Sequence, residues 1–200
     1  MKHKRNKLIV LCLLMAAWHA DAALVTANGN NHTLATAQSL NGAFTTEANA
    51  EITDATTIPH ASVQGSGQNA WDYYSFTLNS AANVLFDIDH GMPALDSYLK
   101  LFNSDGVLLS YNDDGHITDA GSIHGYDSYL NYAFSQAGRY VVGVGRCCSS
   151  ALSTGQGYTL NVSSVAAVPE PETYALLVTG LVGLGIGKRR WQRRLNLQTL

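Results

Sequence analysis

The residues best suited to chemistry in this sequence are aspartates that open two strand-like segments. Asp96 and Asp127 each precede the same tripeptide, Ser-Tyr-Leu, and the adjacent Asp113 and Asp114 begin the polar stretch between them. If the two segments are neighbouring strands, the leading aspartates face each other at one end of the sheet and the Asp113–Asp114 loop caps them. Ca²⁺ prefers carboxylate and carbonyl oxygens in flexible geometry. These four aspartates therefore predict a calcium site.

A structural role for the same aspartates is the main alternative. Asp side chains accept hydrogen bonds from nearby backbone N–H groups, so Asp96 and Asp127 can cap turns without any metal. The spacing also lacks the D-x-D-x-D-G pattern and the distal Glu of an EF-hand. His116 and His124 lie in the same loop near Asp119 and offer a second, weaker hypothesis, a zinc site.

Motifs for catalysis are missing from the sequence. No serine lies in G-x-S-x-G, no H-E-x-x-H occurs, and no glycine-rich phosphate loop follows a strand signal. We therefore expect a non-catalytic protein. The alternatives are a secreted hydrolase that uses carboxylates near Asp96 and Asp113, or an accessory domain of a secreted enzyme.

Tyrosines are the remaining candidates for ligand binding. Rings on an outer sheet face can stack on sugars, which would suit exopolysaccharide as a partner. Cross-strand pairing and core packing are the simpler explanation for the same residues. The tyrosines concerned are Tyr73, Tyr74, Tyr98, Tyr111, Tyr126, Tyr129 and Tyr132.

Short strands must position all of these residues. From Trp71 onward, strand signals recur about every ten residues, as in the alternation of Val84, Phe86 and Ile88 with polar neighbours. An Asp-Gly pair at residues 105–106 suits a hairpin, whereas residues 45–68 favour loops and weak strands. The pattern predicts an all-β fold of about eight strands, an antiparallel β-sandwich resembling a jelly roll.

Charge is distributed unevenly along the 200 residues. The whole chain has a net charge of −3, but residues 23–168 contain three basic residues against twelve acids, a net charge of −9. Such a surface repels nucleic acid, so we expect no nucleic-acid partner. Cys147 and Cys148 are adjacent, and a disulfide between neighbours is hard to form. We favour two reduced thiols at a strand end, and an intermolecular bridge stays open.

The N-terminus has the features of a secretory signal peptide. Basic residues precede an apolar stretch at residues 8–17, and Ala20-Asp21-Ala22 is a small-residue cleavage site. We expect a signal helix over residues 1–22, cut by signal peptidase after Ala22. Residues 23–30 are then a flexible lead.

The C-terminus, residues 166–200, has three parts in a fixed order. Pro169-Glu170-Pro171 precedes an apolar run at residues 174–187, which predicts a transmembrane helix. A basic cluster follows and should remain cytoplasmic, so the residues before the helix lie outside. The basic residues are Lys188, Arg189, Arg190, Arg193 and Arg194.

This three-part tail resembles the PEP-CTERM sorting signal of Gram-negative bacteria that make exopolysaccharide. The resemblance implies recognition by an exosortase, transient anchoring in the inner membrane, and removal of the tail. The product would then lie at the cell surface or in the extracellular matrix. An ordinary C-terminal anchor is the alternative.

An ordered series of motifs resembles a second family, the bacterial pre-peptidase C-terminal domain. The series comprises Asp72-Tyr73-Tyr74-Ser75-Phe76, Leu95-Asp96-Ser97-Tyr98-Leu99, Asn112-Asp113-Asp114, Asp127-Ser128-Tyr129-Leu130, Gly138-Arg139-Tyr140 and Gly157-Tyr158-Thr159. The resemblance implies a jelly-roll-like sandwich over residues 31–165, of a kind found beside secreted proteases. Some members bind calcium, which supports the calcium hypothesis. Ala70 stands where the family often has an acid, which argues against a metal at Asp72.

Overall fold

The computed structural model describes residues 24–92, 94–115 and 120–166. The predicted signal peptide and its Ala20 and Ala22 lie outside these residues. So do the sorting motif, the predicted C-terminal helix with its basic cluster, and the pair His116 and Asp119.

The described chain is built from ten β-strands and a single 3₁₀ turn, Leu34–Thr36, between the first two strands. In chain order the strands are β1 (Val25–Thr26), β2 (Gln38–Ser39), β3 (His60–Ser66), β4 (Asp72–Leu78), β5 (Ala82–Met92), β6 (Ser97–Asn103), β7 (Leu108–Asn112), β8 (Tyr129–Phe134), β9 (Gly138–Arg146) and β10 (Gly157–Ala166). They form two five-stranded sheets, which confirms the all-β sandwich.

The first sheet has the order β1-β3-β10-β5-β8, and the second has the order β2-β4-β9-β6-β7. Most neighbours are antiparallel, whereas β1 with β3 and β2 with β4 are parallel. The parallel pair at Val25–Thr26 places a short strand in the segment that we expected to be a flexible lead. Its backbone N–H and C=O groups find partners along the edge of β3.

Alternating side chains build the core between the sheets. In β5 the buried residues Val84, Phe86 and Ile88 point inward, as the period of two predicts. Leu99 of β6 and Val142 of β9 meet them from the second sheet. Each such side chain stabilises the fold by about 1.5–3 kcal/mol through removal from water.

The order of strands in the sheets corrects one premise of the predicted calcium site. Asp96 precedes β6 in the second sheet and Asp127 precedes β8 in the first, so their strands are not neighbours in a sheet. The strand starts still approach across the sandwich, because the N–H of Ser97 donates to the carbonyl of Tyr126 at 3.0 Å.

The structure confirms the predicted hairpin, but it shows a stronger strand within residues 45–68 than the sequence indicated. The hairpin at residues 105–106 is confirmed: it joins β6 to β7, and Gly106 has φ +77°, the left-handed region that suits glycine. Within residues 45–68, however, β3 is a well-buried strand that pairs with β10 along seven residues. Its short polar residues face other buried polar groups, and so the hydrophobic pattern did not reveal it.

Candidate functional site

Three chain segments converge at one end of the second sheet. Asp96 precedes β6, Asp113 follows β7 and Cys147 follows β9, and one ligand atom from each lies within 4.8 Å of the others. The N–H of Cys147 donates to the carbonyl of Asp96 at 2.7 Å, which fixes the strand ends together. One oxygen of each carboxylate, Oδ1 of Asp96 and of Asp113, is buried without a hydrogen-bond partner. We call these three residues, with Cys148, the thiol–carboxylate cluster.

Negative charge and burial shift the titration of this cluster. Loss of hydration raises the pKa of Asp113, and the nearby charges of Asp114 and Asp96 raise it further. The hydrogen bond to Cys148, followed by burial and the Asp96 carboxylate, raises the pKa of Cys147 to about 12. Deprotonation of Asp113 or Cys147 is therefore disfavoured by the neighbouring negative charges. A bound cation would reduce this electrostatic repulsion.

The two thiols lie side by side just beyond the end of β9. Their Sγ atoms are 2.8 Å apart and both are free. The chain turns back here through left-handed backbone at Cys148 and Ser149, with φ values of +64° and +58°. Both sulfurs are thereby presented on the same side of the turn.

The other two predicted ligands lie elsewhere. Asp114 is exposed and is not part of the cluster. Asp127 is only 2% exposed, and its Oδ2 accepts the N–H of Ile123 at 2.9 Å. Its Oδ1 lies 3.7 Å from Nδ1 of His124 without a hydrogen bond, and burial raises the pKa of the carboxyl. Of the four predicted ligands, only Asp96 and Asp113 therefore come together, and Asp127 lies apart because it precedes a strand of the first sheet.

Aromatic rings cover the outer face of the second sheet. Tyr98 stacks on Tyr111 with centroids 5.8 Å apart and 6° between the ring planes, and Trp71 meets the edge of Tyr98 at 6.1 Å. Tyr73 continues the row, 6.2 Å from Trp71 and 6.2 Å from Phe102. Tyr111 is 60% exposed. We call these five residues the aromatic face.

Glycines in the central strand allow the rings to lie close to the sheet. A Cβ atom on Gly145 would lie 2.7 Å from the Trp71 ring, and one on Gly143 would lie 2.8 Å from the Tyr73 ring. Any side chain at these positions of β9 would push the rings away. The aromatic face therefore depends on two residues that carry no side chain.

A lysine lies over the same surface. Nζ of Lys100 is 4.6 Å from the centroid of the Trp71 ring and donates to Oγ of Ser149 at 2.7 Å. Lys100, Arg139 and Arg146 are the three basic residues of segment 23–168, and all of them belong to β6 or β9. The positive charges of an acidic domain are thus concentrated on one sheet.

Sequence reasoning found only part of this surface. Of the predicted tyrosines, Tyr73, Tyr98 and Tyr111 belong to the aromatic face. Tyr74 is buried and shares a 2.7 Å hydrogen bond with Tyr158, and the ring of Tyr132 packs against Phe134. Trp71, Phe102 and Lys100 were missed, although the alternation of β6 places Lys100 on the same side as Tyr98. Cys147 was also missed as a partner of Asp96, since only the strand order brings them together.

Comparisons with known proteins agree with the two resemblances. Residues 71–146 match the bacterial pre-peptidase C-terminal domain, and residues 167–190 match the PEP-CTERM protein-sorting motif. The crystal structure of the pre-peptidase C-terminal domain of a collagenase from Bacillus anthracis is similar, with 16% identity and a TM-score of 0.36. That similarity covers 52% of this chain and 88% of the other. No curated protein matched the chain.

The sorting motif implies export, handling by an exosortase and a membrane-anchored C-terminus before processing. Within the described part of the chain, no helix has the length and apolar character needed to cross a membrane. Residues 71–146 of this chain are therefore similar to a bacterial pre-peptidase C-terminal domain, and a match to the PEP-CTERM protein-sorting motif follows them at residues 167–190.

Proposed function

We propose that this protein is a non-catalytic component of the cell surface or extracellular matrix that associates with exopolysaccharide after sorting. The observation that carries the proposal is the aromatic face. It presents tyrosine and tryptophan rings in one row on the outer face of the second sheet, with an ammonium group among them.

Sugar rings suit such a surface. The C–H faces of a pyranose pack against aromatic rings, while the hydroxyl of tyrosine and the ammonium of lysine offer polar partners at the edges. Small-molecule sites are usually concave and enclose most of their ligand. A row of rings on the outer face of a sheet instead matches an extended polymer that touches several rings in succession.

The cellular location and intact mass of the mature protein test whether it is exported and sorted as proposed. We expect a mature product that begins at Ala23, has lost the tail near Pro169-Glu170-Pro171, and is recovered outside the inner membrane. Intact-mass measurement of each cell fraction reports both cuts at once. A full-length chain folded in the cytosol would contradict export and the matrix assignment together.

Co-sedimentation tests the binding half. The purified protein should sediment with exopolysaccharide isolated from the producing cells, and the polymer should be recovered unchanged in length. A polymer that shortens on incubation would instead favour the secreted hydrolase. Loss of that shortening in Asp96→Ala or Asp113→Ala, with folding intact, would assign it to those carboxylates. Activity seen only with a separate secreted enzyme would favour the accessory-domain alternative.

Calcium requires a separate test, because the predicted ligands do not form one group. At the cluster that contains Asp96 and Asp113, the third donor is a thiol, which Ca²⁺ does not favour. Calcium stays a proposal for the exported domain, supported by its net charge of −9 and by Oδ1 of Asp127, which is buried and accepts no hydrogen bond. It predicts a higher melting temperature in Ca²⁺ than in chelator. Equal melting temperatures would remove its support.

A further inference from the structure

We propose that the thiol–carboxylate cluster is a binding site for a thiophilic divalent cation of the zinc class. The site would use Sγ of Cys147 and Cys148 with one oxygen each from Asp96 and Asp113. It goes beyond the proposed matrix function, which does not need it. It shares Asp96 and Asp113 with the predicted calcium site but has two sulfurs in place of Asp114 and Asp127, and a different cation.

The first argument is the donor set. Two sulfurs and two carboxylate oxygens match the four-coordinate sites in which Zn²⁺ is bound by Cys and Asp. An adjacent sulfur lies 2.8 Å from Cys147 Sγ, and Asp113 Oδ2 lies 4.0 Å from it. With bonds of about 2.0–2.3 Å, tetrahedral ligands lie roughly 3.3–3.8 Å apart. Asp96, Asp113 and Cys147 already offer ligand atoms within 4.8 Å of one another, and rotation of the Cys148 side chain would add the fourth donor.

The second argument is the unused hydrogen-bonding capacity beside the thiols. Oδ1 of Asp96 and Oδ1 of Asp113 are shielded from solvent and accept no hydrogen bond. A buried acceptor without a partner is costly. A cation that these two Oδ1 atoms bind, together with the sulfurs, would give both oxygens a partner.

The third argument is rigidity. The donors come from the start of β6, the end of β7 and the end of β9, and β9 pairs with β6 from Ser97 to Asn103. The hydrogen bond from the backbone N–H of Cys147 to the carbonyl of Asp96 also holds two of the ligand-bearing residues together. Sites supported by paired strands hold their ligands more precisely than sites on loops.

The choice of cation follows from the sulfurs. Soft thiolate ligands select zinc and related ions, whereas Ca²⁺ takes oxygen ligands. On binding, the two S–H protons leave to solvent and two metal–sulfur bonds form, without any change of oxidation state. The same chemistry applies to Co²⁺, which replaces Zn²⁺ in such sites and reports its ligands by absorption.

Cobalt titration of the full-length protein in detergent, with its thiols reduced, tests the proposal. We expect a thiolate-to-cobalt charge-transfer band together with the visible bands of tetrahedral Co²⁺. Zn²⁺ should abolish these bands at equimolar amounts, and Ca²⁺ should leave them unchanged in large excess. The double variant Cys147→Ser/Cys148→Ser should show no charge-transfer band. Asp113→Asn should keep the band but bind Co²⁺ more weakly by at least about tenfold.

Matched variants show whether the signal belongs to this site. Asp105→Asn removes an exposed acid at the β6–β7 hairpin, and Cys12→Ser removes the third cysteine of the sequence, so both should titrate like the wild type. A wild-type protein without the charge-transfer band overturns the proposal. So does a band that survives in the double cysteine variant, or a pair of thiols isolated as a disulfide that reductant does not open.

Discussion

The outer faces of the two sheets are built on the same alternation but carry opposite kinds of residue. On the first sheet, polar side chains form a ladder: Asn49 donates to Ser62, Ser62 donates to Asn161, and Asn161 donates to Asp89 at 2.6 Å. Here Ser62, Asn161 and Asp89 are almost fully buried. On the second sheet, the aromatic face remains partly open to solvent, with Tyr111 the most exposed of its rings.

This difference suggests separate roles for the two faces: the first stabilises the fold, and the second is the one proposed to bind a ligand. Buried polar groups are costly unless each finds its partner, so a hydrogen-bonded ladder fixes the first face in one arrangement. Rings that lie over glycines gain contact area without needing exact partners, and they leave surface for a ligand. We therefore expect substitutions on the first face to change folding and substitutions on the second to change binding.

The largest expected effect is on the first face. Asn161→Ala removes both the donor to Asp89 and the acceptor of the Ser62 hydroxyl, and we expect it to lower the free energy of unfolding by about 3 kcal/mol. Urea denaturation measures this change. Asn131→Ala, which removes an exposed amide on β8 of the same sheet, should stay within about 0.5 kcal/mol of the wild type. Equal losses in the two variants would show that the ladder does not stabilise the fold.

The next effect tests whether the glycines of β9 are needed for the rings of the aromatic face to lie close to the sheet. In Gly145→Ala the new Cβ would lie 2.7 Å from the carbonyl oxygen of Ser150 and from the Trp71 ring. We expect a loss of about 1–3 kcal/mol from overpacking, with a shift in fluorescence because Trp71 is the single tryptophan of segment 23–168. Gly125→Ala serves as the control, since its nearest neighbour would be 3.8 Å away. Unchanged fluorescence in Gly145→Ala would mean that the ring does not rest on β9.

A third prediction concerns binding alone. Tyr111→Ala should leave the urea midpoint unchanged and weaken exopolysaccharide binding by about threefold to tenfold, which corresponds to about 0.5–1.5 kcal/mol for one aromatic contact. Tyr126→Ala is a matched control, because Tyr126 is 57% exposed against 60% for Tyr111 but lies outside the aromatic face. Equal binding by the two variants would remove the aromatic face from the proposed function.

The smallest effect is a pH dependence on the first face. The hydrogen bond from His90 to Glu51, followed by the attraction of nearby carboxylates, raises the pKa of His90. A histidine with a raised folded pKa stabilises the protein below its unfolded value of about 6.5, and this contribution disappears as pH rises through the folded pKa. The melting-temperature difference between wild type and His90→Gln should therefore shrink over that range. A difference that stays constant with pH would contradict the ion pair.

Sequence reasoning predicted the fold well wherever residues alternate strictly. The alternation of Val84, Phe86 and Ile88 predicted the strand that the structure shows as β5, because one apolar face per strand leaves a clear signal. β3 was harder to recognise, since its polar side chains are buried by partners that lie about a hundred residues away in the chain.

The candidate site was less predictable for the same physical reason. Asp96 and Asp113 were identified from their residue type, but their partner Cys147 depends on the antiparallel pairing of β6 with β9. The repeated Asp-Ser-Tyr-Leu motif suggested two neighbouring strands, whereas a sandwich also permits such repeats on opposite sheets. The local sequence pattern predicts which face of a strand a side chain lies on. The order of strands in the sheets determines which distant residues that side chain contacts.

The last strand of the exported domain lies between β3 and β5, in the interior of its sheet. Because β10 ends at Ala166, three residues before Pro169, this sheet would be complete only after nearly all of the chain before the sorting motif has crossed the membrane. A cut at residues 169–171 then leaves a stub of only a few residues beyond β10. The protein would thus be released only after this sheet has formed. Any further trimming into β10 would remove a strand from the interior of the sheet.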